Sequence, residues 1–247
     1  MKFAIAGGTG TLGKATVLAA QERGHNTVVL ARSRGIDITV PEQVTPALEG
    51  VDAVIDASSV ATMDAKESVR FFGKATRTLL AAEQEHGIGH HVAVSIIGAA
   101  RINAGYYAGK ATQEKILRGL SGGWSILRAA QFHDFALQFE DRYAFANIRL
   151  VPRMRAQPVS VDEVAAALLE IVEGGPQGLA PDIAGPQEER MADMVRRYLS
   201  VKNSPNRALE IPLPGRLGRG LRDGSLVAGP HARLGTQTYN EWLATQL

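Results

Sequence analysis

The chain has 247 residues, of which 45% are hydrophobic and 21% are charged, a composition that predicts a soluble globular protein with a sizeable core. It contains no cysteine, which excludes disulfides and thiolate metal sites, and a formal net charge of +2 is too small to indicate nucleic-acid binding. The first apolar run is too short for a signal peptide and no run is long enough to span a membrane, so we expect a cytoplasmic protein without membrane partners.

The predicted elements of residues 1–150 alternate between strands and helices, which predicts a doubly wound parallel sheet, the Rossmann fold. The predicted strands are 3–6, 26–31, 35–38, 51–57, 91–97 and 124–127, and the predicted helices are 12–23, one that opens at 39–42, 66–85 and 106–120. The apolar stripe of helix 66–85 predicts burial of Val69 and Phe72, among others.

The composition changes after residue 150, where proline and arginine become frequent. The predicted elements are a helix at 161–172, a strand at 179–184, a helix at 187–199, a loop at 212–224 and a helix at 238–244. We therefore divide the chain into a nucleotide-binding domain, 1–150, and a smaller α+β lobe, 151–247, that binds substrate.

A glycine-rich stretch joins the first strand to the first helix. It fits both G-x-x-G-x-x-G from Gly7 and G-x-G-x-x-G from Gly8, although an ordinary glycine turn is the simpler alternative. Such a turn brings a pyrophosphate to the positive end of the helix, and a glycine at position 13 lets helix and strand pack closely. The residues expected to contact the dinucleotide are Gly7, Gly8, Thr9, Gly10, Thr11, Leu12 and Gly13.

Three polar residues after the second strand indicate which dinucleotide is bound. NAD sites place an acidic residue near this point, but this chain has Arg32, Ser33 and Arg34 instead. A guanidinium suits the 2′-phosphate of NADP, so we predict NADP(H) as the cofactor and Arg32 as the residue that recognises it. The simpler alternative is a solvated basic loop.

Two further positions lie where the cofactor is expected. Asp37 either hydrogen-bonds near the adenine ring or is a turn carboxylate. Ser58 and Ser59 follow a predicted strand, whose carboxyl end lines the ligand crevice in this fold, so they either face the cofactor or begin a loop.

A tyrosine and a lysine in helix 106–120 indicate acid–base chemistry. Tyr106 and Lys110 are spaced i, i+4 and share a helix face, and Ser95 ends the strand before them. An ammonium nearby lowers the pKa of a phenol and can also bind ribose hydroxyls, while a serine hydroxyl can hold a substrate carbonyl. A chance pair on an amphipathic helix is the alternative for the tyrosine and lysine alone.

Several segments together make the chain resemble the atypical short-chain dehydrogenase/reductases, close to the NmrA-like NAD(P)-binding branch. These segments are AGGTGTLG at 6–13, VSIIG at 94–98, YYAGK at 106–110, LRAAQF at 127–132, VDEVA at 161–165 and AGP at 184–186. The resemblance implies a Rossmann core, NADP(H), and often reduction of a carbonyl, quinone or similar acceptor. It implies that Tyr106 is the acid–base, Lys110 the ribose anchor and Ser95 the carbonyl holder.

The chain departs from that pattern at two positions. Ile96 stands where reductases of the family often carry a second Ser or Thr, and Tyr107 competes with Tyr106 although it is out of phase with Lys110. Some members of the branch bind the nucleotide and act as sensors without turnover. The sequence therefore supports an NADPH-dependent reductase, with a non-catalytic NADP(H)-binding regulator as the alternative.

The expected substrate-facing residues are Ile97, Tyr107, Phe132 and His133. His133 is either a second proton carrier or substrate ligand, or a loop histidine with a local partner. The arginines of 212–224 belong either to a lid or, more simply, to a solvated turn. Six histidines without ligand spacing indicate no metal, and neither a monomer nor a homodimer is favoured.

Overall fold

The computed structural model describes residues 1–141, 144–145 and 147–246, and the chain forms two compact units. The first unit contains Met1–Arg128 and Val161–Pro181, and the second contains Ala129–Ser160 and Asp182–Leu247. The predicted boundary at residue 150 does not coincide with this division, because the helix that begins at Val161 belongs to the first unit.

The strands are β1 (Lys2–Ala6), β2 (Asn26–Leu30), β3 (Ala53–Asp56), β4 (His91–Ile96), β5 (Trp124–Ala129), β6 (Ala144–Phe145), β7 (Ile148–Pro152), β8 (Arg155–Ala156), β9 (Gly178–Leu179), β10 (Ile183–Ala184), β11 (Glu189–Arg190), β12 (Arg207–Ile211) and β13 (Arg233–Leu234). The α-helices are α1 (Thr11–Glu22), α2 (Pro41–Val44), α3 (Ala65–Glu85), α4 (Ala99–Ile102), α5 (Tyr106–Leu117), α6 (Gln138–Asp141), α7 (Val161–Gly174), α8 (Met191–Val201), α9 (Gly215–Arg222) and α10 (Tyr239–Ala244).

The first unit is built on a sheet in which β5, β4, β3, β1 and β2 are neighbours in that order. β1 pairs in parallel with β2 on one side and with β3 on the other, and β3 pairs in parallel with β4. The direction in which the chain winds therefore reverses at β1. In doubly wound sheets the ligand lies at this reversal, beyond the carboxyl ends of the strands. The predicted Rossmann fold is confirmed.

Strand β1 lies in the middle of the core of the first unit. The four side chains from Phe3 to Ala6 are fully buried, as expected for a strand covered on both faces. Ala4 and Ala6 pack into one apolar cluster with Leu79 of α3, while alternation places Phe3 on the opposite face. This packing fixes the point at which the glycine-rich loop leaves the sheet.

Helices α3 and α5 pack closely beside this sheet. A Cβ on Gly109 would lie 2.5 Å from the Phe72 ring and would also overlap Ser68, so only glycine permits this approach. The Ser68 hydroxyl donates a hydrogen bond of 2.9 Å to the carbonyl oxygen of Tyr106. These contacts fix the first turn of α5, which carries Tyr106.

The strand pairings of the second unit are mostly shorter than those of the first. Ile183 of β10 pairs with Ala129, and β13 lies parallel to β10. β7 pairs in parallel with β12 and antiparallel with β6, and β8 pairs with β11. These mixed strands with α8 and α10 agree with the α+β character expected for the second part of the chain.

Two predicted segments were wrong. Residues 35–38 do not form the expected strand: a 3₁₀ turn (Arg32–Arg34) ends at Gly35 with φ of +78°, and the chain bends away from the sheet. Residues 212–224 are not simply a loop, because Gly215–Arg222 forms α9. There Gly218 packs directly against the backbone of Leu213, a contact that no composition rule reveals.

Smaller differences concern element ends and burial. The predicted strand 179–184 is two short strands, β9 and β10, and the helix predicted from 187 begins at Met191 after β11. Val69 is 37% exposed, although it was expected in the buried stripe of α3, whereas Phe72 is fully buried as expected. Val69 lies at the margin of the stripe, where three- and four-residue spacing alone does not decide burial.

Candidate functional site

The glycine-rich loop between β1 and α1 has the shape of a dinucleotide cradle. Gly7 has φ of +74°, and a Cβ there would lie 2.8 Å from the Ala57 carbonyl oxygen. A Cβ on Gly13 would overlap the Gly7 carbonyl oxygen, so α1 begins in direct contact with the loop. Gly10 precedes α1, and no side chain caps the helix there. The first amides of α1 are thus left for an anionic ligand.

The other residues expected in this loop surround the same turn. Thr9 is partly exposed, Thr11 is exposed, and Leu12 is buried and anchors α1. Gly8 is also confined, because a Cβ there would lie 2.9 Å from Val29 of β2. The cradle is therefore built from backbone with little side-chain bulk above it.

The segment after β2 lies beside this loop. Arg32, Ser33 and Arg34 form the 3₁₀ turn and are exposed, and the Ser33 hydroxyl lies 3.5 Å from that of Thr9. Two arginines are thus placed near the glycine-rich loop with their charges accessible. This is the position where an adenosine 2′-phosphate is expected in the fold.

Asp37 behaves as a turn carboxylate. Its Oδ1 accepts hydrogen bonds of 2.8 Å from both the backbone N–H and the hydroxyl of Thr39. These bonds, with the charge of Arg32, hold the pKa of the Asp37 carboxyl below its ordinary value. Of the two alternatives for Asp37, the geometry favours the turn.

A buried polar network lies at the carboxyl end of β3. The Asp56 side chain accepts from the backbone N–H of Ser58 at 2.9 Å and from the amide of Gln113 at 2.8 Å. Ser58 is 4% exposed, and its hydroxyl has no hydrogen-bond partner within the described part of the chain. The backbone of Ser58 lies against Gly7, since a Cβ on Gly7 would be 2.8 Å from the Ser58 Cα, so Ser58 belongs to the base of the cradle.

Lys110 is held inside this network. Its ammonium donates to the carbonyl oxygens of Val94 at 2.8 Å and Ser58 at 3.3 Å, and to the Gln113 side chain at 2.9 Å. It also lies 4.2 Å from the centre of the Phe72 ring. Burial lowers the pKa of Lys110 to about 8. All three N–H bonds are occupied, so the lysine ties strand ends together in this arrangement.

Tyr106 lies at the start of α5 and pairs with a residue of the loop after β3. Its hydroxyl is 2.9 Å from that of Ser59, and its ring meets Phe72 edge-on with centroids 5.5 Å apart. Burial raises the pKa of Tyr106 to about 12, although the bond to Ser59 acts in the opposite direction. The pKa of Tyr106 is thus raised, in the opposite direction to the lowering expected from Lys110, whose ammonium is hydrogen-bonded to Val94, Ser58 and Gln113.

Ser95 is occupied by a buried carboxylate. Its hydroxyl donates to Glu114 at 2.6 Å, and Glu114 also accepts two hydrogen bonds from Arg128, at 2.6 and 2.9 Å. Ser95 is 1% exposed. The serine thus links β4 to α5 instead of presenting a free hydroxyl.

The expected substrate-facing residues lie in different parts of the chain. Ile97 and Tyr107 are buried in the first unit, while Phe132 and His133 belong to the second. His133 is buried, its Nε2 lies 3.2 Å from the Gln237 carbonyl oxygen, and its ring packs against Trp242. This local environment fits the alternative of a histidine with a structural partner.

Two residues of the site, Gln113 and Glu114, were not singled out by the sequence. Ser59 was expected either to face the cofactor or to begin a loop, and its contact with Tyr106 was not predicted. Gln113 connects Lys110 to Asp56, and Glu114 holds Ser95. Gln113 and Glu114 lie one helical turn after Lys110, and this position next to a Tyr-x-x-x-Lys pair is the signal that could have drawn attention to them.

Metal-binding groups and membrane-spanning helices are both absent from the residues that the structure describes. No group of three or more His, Cys, Asp or Glu side chains is arranged to hold a metal ion in this part of the chain. Across the same residues, helices long and apolar enough to cross a membrane are absent.

Comparison with known sequences places the chain near nucleotide-binding proteins. The model of a family described as NAD(P)H-binding matches residues 34–174, more than half of the chain. Photosystem II assembly factor Ycf39 of Synechocystis sp. is 30% identical over an alignment of 203 residues that covers 70% of this chain and 62% of that protein. The chain thus spans less than two thirds of the length of this relative.

Solved structures share the fold over nearly the whole chain. An NADPH-dependent quinone oxidoreductase from Escherichia coli, in complex with NADPH, has a TM-score of 0.73 and 15% identity and covers 99% of both chains. A nucleoside-diphosphate-sugar epimerase from Staphylococcus aureus has a TM-score of 0.73 and 13% identity, over 98% of this chain and 99% of that chain. At such identities the likeness establishes a Rossmann-like α/β fold.

Proposed function

The chain belongs to the NAD(P)H-binding family, and on this premise we propose that it is an NADPH-dependent reductase. The acceptor is a small carbonyl, quinone or related compound. The observation that carries the proposal is the glycine corner, where Gly7 has φ of +74° and a side chain on Gly13 would fill the space against the loop. Such a cradle suits a pyrophosphate at the start of α1.

NADP(H) is the proposed nucleotide because the turn directly after β2 contains two exposed arginines and no carboxylate. Arg32 and Arg34 lie in a turn whose serine is 3.5 Å from Thr9 of the glycine-rich loop. A guanidinium donates two parallel hydrogen bonds to a phosphate. The single oxygen of an adenosine 2′-hydroxyl cannot accept both of them in this way.

Tyr106 is the proposed proton donor. Bound NADPH would supply the hydride, which forms a C–H bond at the acceptor carbon while the electrons of the carbonyl π bond move to oxygen. Tyr106 would give its phenolic proton to that oxygen. Tyr106 is protonated at neutral pH, as a donor requires, although the burial that raises its pKa also makes the phenolate harder to form. Ser58, at the base of the cradle, would contribute its unpartnered hydroxyl to nucleotide binding.

A second candidate, a non-catalytic NADP(H)-binding regulator, is favoured by one specific observation. Two side chains expected to take part in the chemistry, Ser95 and Lys110, are both bound to internal partners. The Synechocystis relative is named as an assembly factor, which is compatible with nucleotide binding without turnover.

The two candidates are separated by NADPH oxidation measured against quinones, aldehydes, ketones and enones. For the reductase we expect turnover on at least one class, a loss of about two to four orders of magnitude in Tyr106→Phe, and unchanged NADPH affinity. Phenylalanine keeps the ring contact with Phe72, so the variant tests the hydroxyl alone.

Tight NADPH binding without turnover on any class would support the regulator. If Tyr106→Phe is as active as the wild type, Tyr106 is not the donor and Tyr107 becomes the next variant to test. Absence of NADPH binding would contradict both candidates.

A further inference from the structure

We propose that Ser59 is the positioning residue of the proton donor, Tyr106. The proposal rests on the proposed reductase function and deepens it. It assigns a role to the loop after β3, which supplies a hydroxyl 2.9 Å from that of Tyr106.

The first support is the distribution of hydrogen bonds around α5. Ser95 donates at 2.6 Å to Glu114, an acceptor that is itself held by Arg128 at 2.6 and 2.9 Å. A serine in that bond would have to break a buried, charge-assisted contact before it could serve a substrate. Within the part of the chain that the structure describes, Ser59 makes no such bond to a carboxylate, and its hydroxyl already contacts the phenol.

The second support is that the rest of Tyr106 is fixed independently of Ser59. Ser68 holds the Tyr106 carbonyl oxygen at 2.9 Å, and Phe72 meets the ring edge-on. Loss of the Ser59 hydroxyl would thus leave the backbone and ring of the tyrosine in place. Only the orientation and charge stabilisation of the phenolic oxygen would change.

The third support is electrostatic. When Tyr106 gives up its proton, the phenolate forms in a half-buried site where the charge of Asp56 disfavours it. The Ser59 O–H can then donate to the phenolate oxygen, and a hydrogen bond to the charged form stabilises it. Ser59 is exposed, so water can return a proton to the pair after each turnover.

The test compares Ser59→Ala and Ser59→Thr with Ser121→Ala, which removes the hydroxyl of another exposed serine of the first unit. We expect kcat of Ser59→Ala to fall roughly 10- to 100-fold with KM for NADPH unchanged, and Ser59→Thr to recover most of it. Ser121→Ala should match the wild type.

A second measurement does not depend on turnover. In protein carrying ¹³Cζ-labelled tyrosine, the resonance missing from Tyr106→Phe identifies Tyr106. That resonance should shift in Ser59→Ala and remain in place in Ser121→Ala, because the carbon that bears the hydroxyl senses its hydrogen bond.

Each combination of results is decisive. A shifted resonance with reduced kcat and rescue by threonine supports the proposal. A shifted resonance with unchanged kcat, an unshifted resonance, or no rescue by threonine overturns it. If the wild type reduces no acceptor, the proposed function fails and the role of Ser59 in the reaction fails with it, even where the resonance shift still demonstrates the contact.

Discussion

Lys110 illustrates how a buried side chain can hold together the segments that surround a candidate site. Its three N–H bonds are directed to Val94, Ser58 and Gln113, which belong to three different segments. The side-chain amide of Gln113 also donates to Asp56. The uncharged amide thus links the Lys110 ammonium to the Asp56 carboxylate. The network holds the Ser58 backbone against Gly7, so Lys110 supports the cradle from below.

A second buried pair gives the protein a pH-dependent stability. His91 and Glu83 lie 2.6 Å apart and are both almost fully buried. Burial and the charge of Lys110 lower the pKa of His91. The charge and hydrogen bond of Glu83, with the charge of Asp56, outweigh them, so the pKa of His91 lies above its ordinary value of 6.5. Protonated His91 therefore stabilises the folded protein below pH 6.5. This stabilisation is lost as pH rises through the pKa that His91 has in the folded state.

We therefore expect the wild type to lose about 1 kcal/mol or more of stability relative to Glu83→Gln as pH rises from about 5.5 to about 8. Urea unfolding of both proteins measures this difference. The pKa of Lys110 is lowered to about 8 in the folded protein. Its deprotonation therefore adds stability only as pH rises above about 8. Glu85→Gln, an exposed carboxamide on the same helix, should follow the wild type. A difference that is constant with pH would show that His91 is not charged when folded.

At the residue scale the sequence offers candidate residues but not their contacts. The glycines, Arg32 and Tyr106 are candidates because of their spacing along short segments. The contacts of Ser59 with Tyr106 and of Ser95 with Glu114 were not predicted, because these pairs lie 47 and 19 positions apart in the sequence. Such contacts depend on which strand ends become neighbours, and local periodicity does not contain that information.

At the scale of elements, the corner between β1 and α1 is the most constrained part of the first unit. α1 begins immediately above the loop, since Gly13 meets the Gly7 carbonyl oxygen and Gly8 meets Val29 of β2. The contacts on Gly13 are made by backbone atoms, which cannot move aside as a flexible side chain can. Helix and strand therefore set the shape of the cradle together.

Gly13→Ala should damage both folding and binding. The added methyl group overlaps backbone, so we expect a loss of about 1–3 kcal/mol in the free energy of unfolding and a marked loss of NADPH affinity. Urea unfolding and calorimetry measure the two effects. Gly174→Ala is the matched control, because it adds the same group in a helix of the same unit with open space around it. Wild-type affinity in Gly13→Ala would refute the proposed cradle.

The elements themselves were predicted unevenly. Strongly patterned ones such as β1, α3 and β4 were confirmed within one or two residues. The expected strand 35–38 was wrong because Gly35 adopts a left-handed conformation and Asp37 forms a turn with Thr39. Helix α9 was missed because its three glycines, and the prolines at 212 and 214 before it, have low helix propensity, while its stability comes from packing.

At the scale of the whole molecule, the predicted Rossmann fold and the predicted membership of an NAD(P)H-binding family are confirmed. The second part of the chain was less predictable. α7 is continuous in sequence with that part, yet it packs with α1 and joins the first unit, an arrangement set by tertiary contacts. Discrimination between NADP(H) and NAD(H) remains a prediction from Arg32 and its neighbours.

Calorimetric titration with NADPH and NADH tests the central claim most directly. We predict that the wild type binds NADPH roughly 10- to 100-fold more tightly than NADH, since a charged hydrogen-bonding group reads the 2′-phosphate. Arg32→Ala should lose that preference, while Arg118→Ala, which removes another exposed arginine of the first unit, should keep it. Equal affinity of the wild type for both nucleotides, or no heat with either one in folded protein, would contradict the claim.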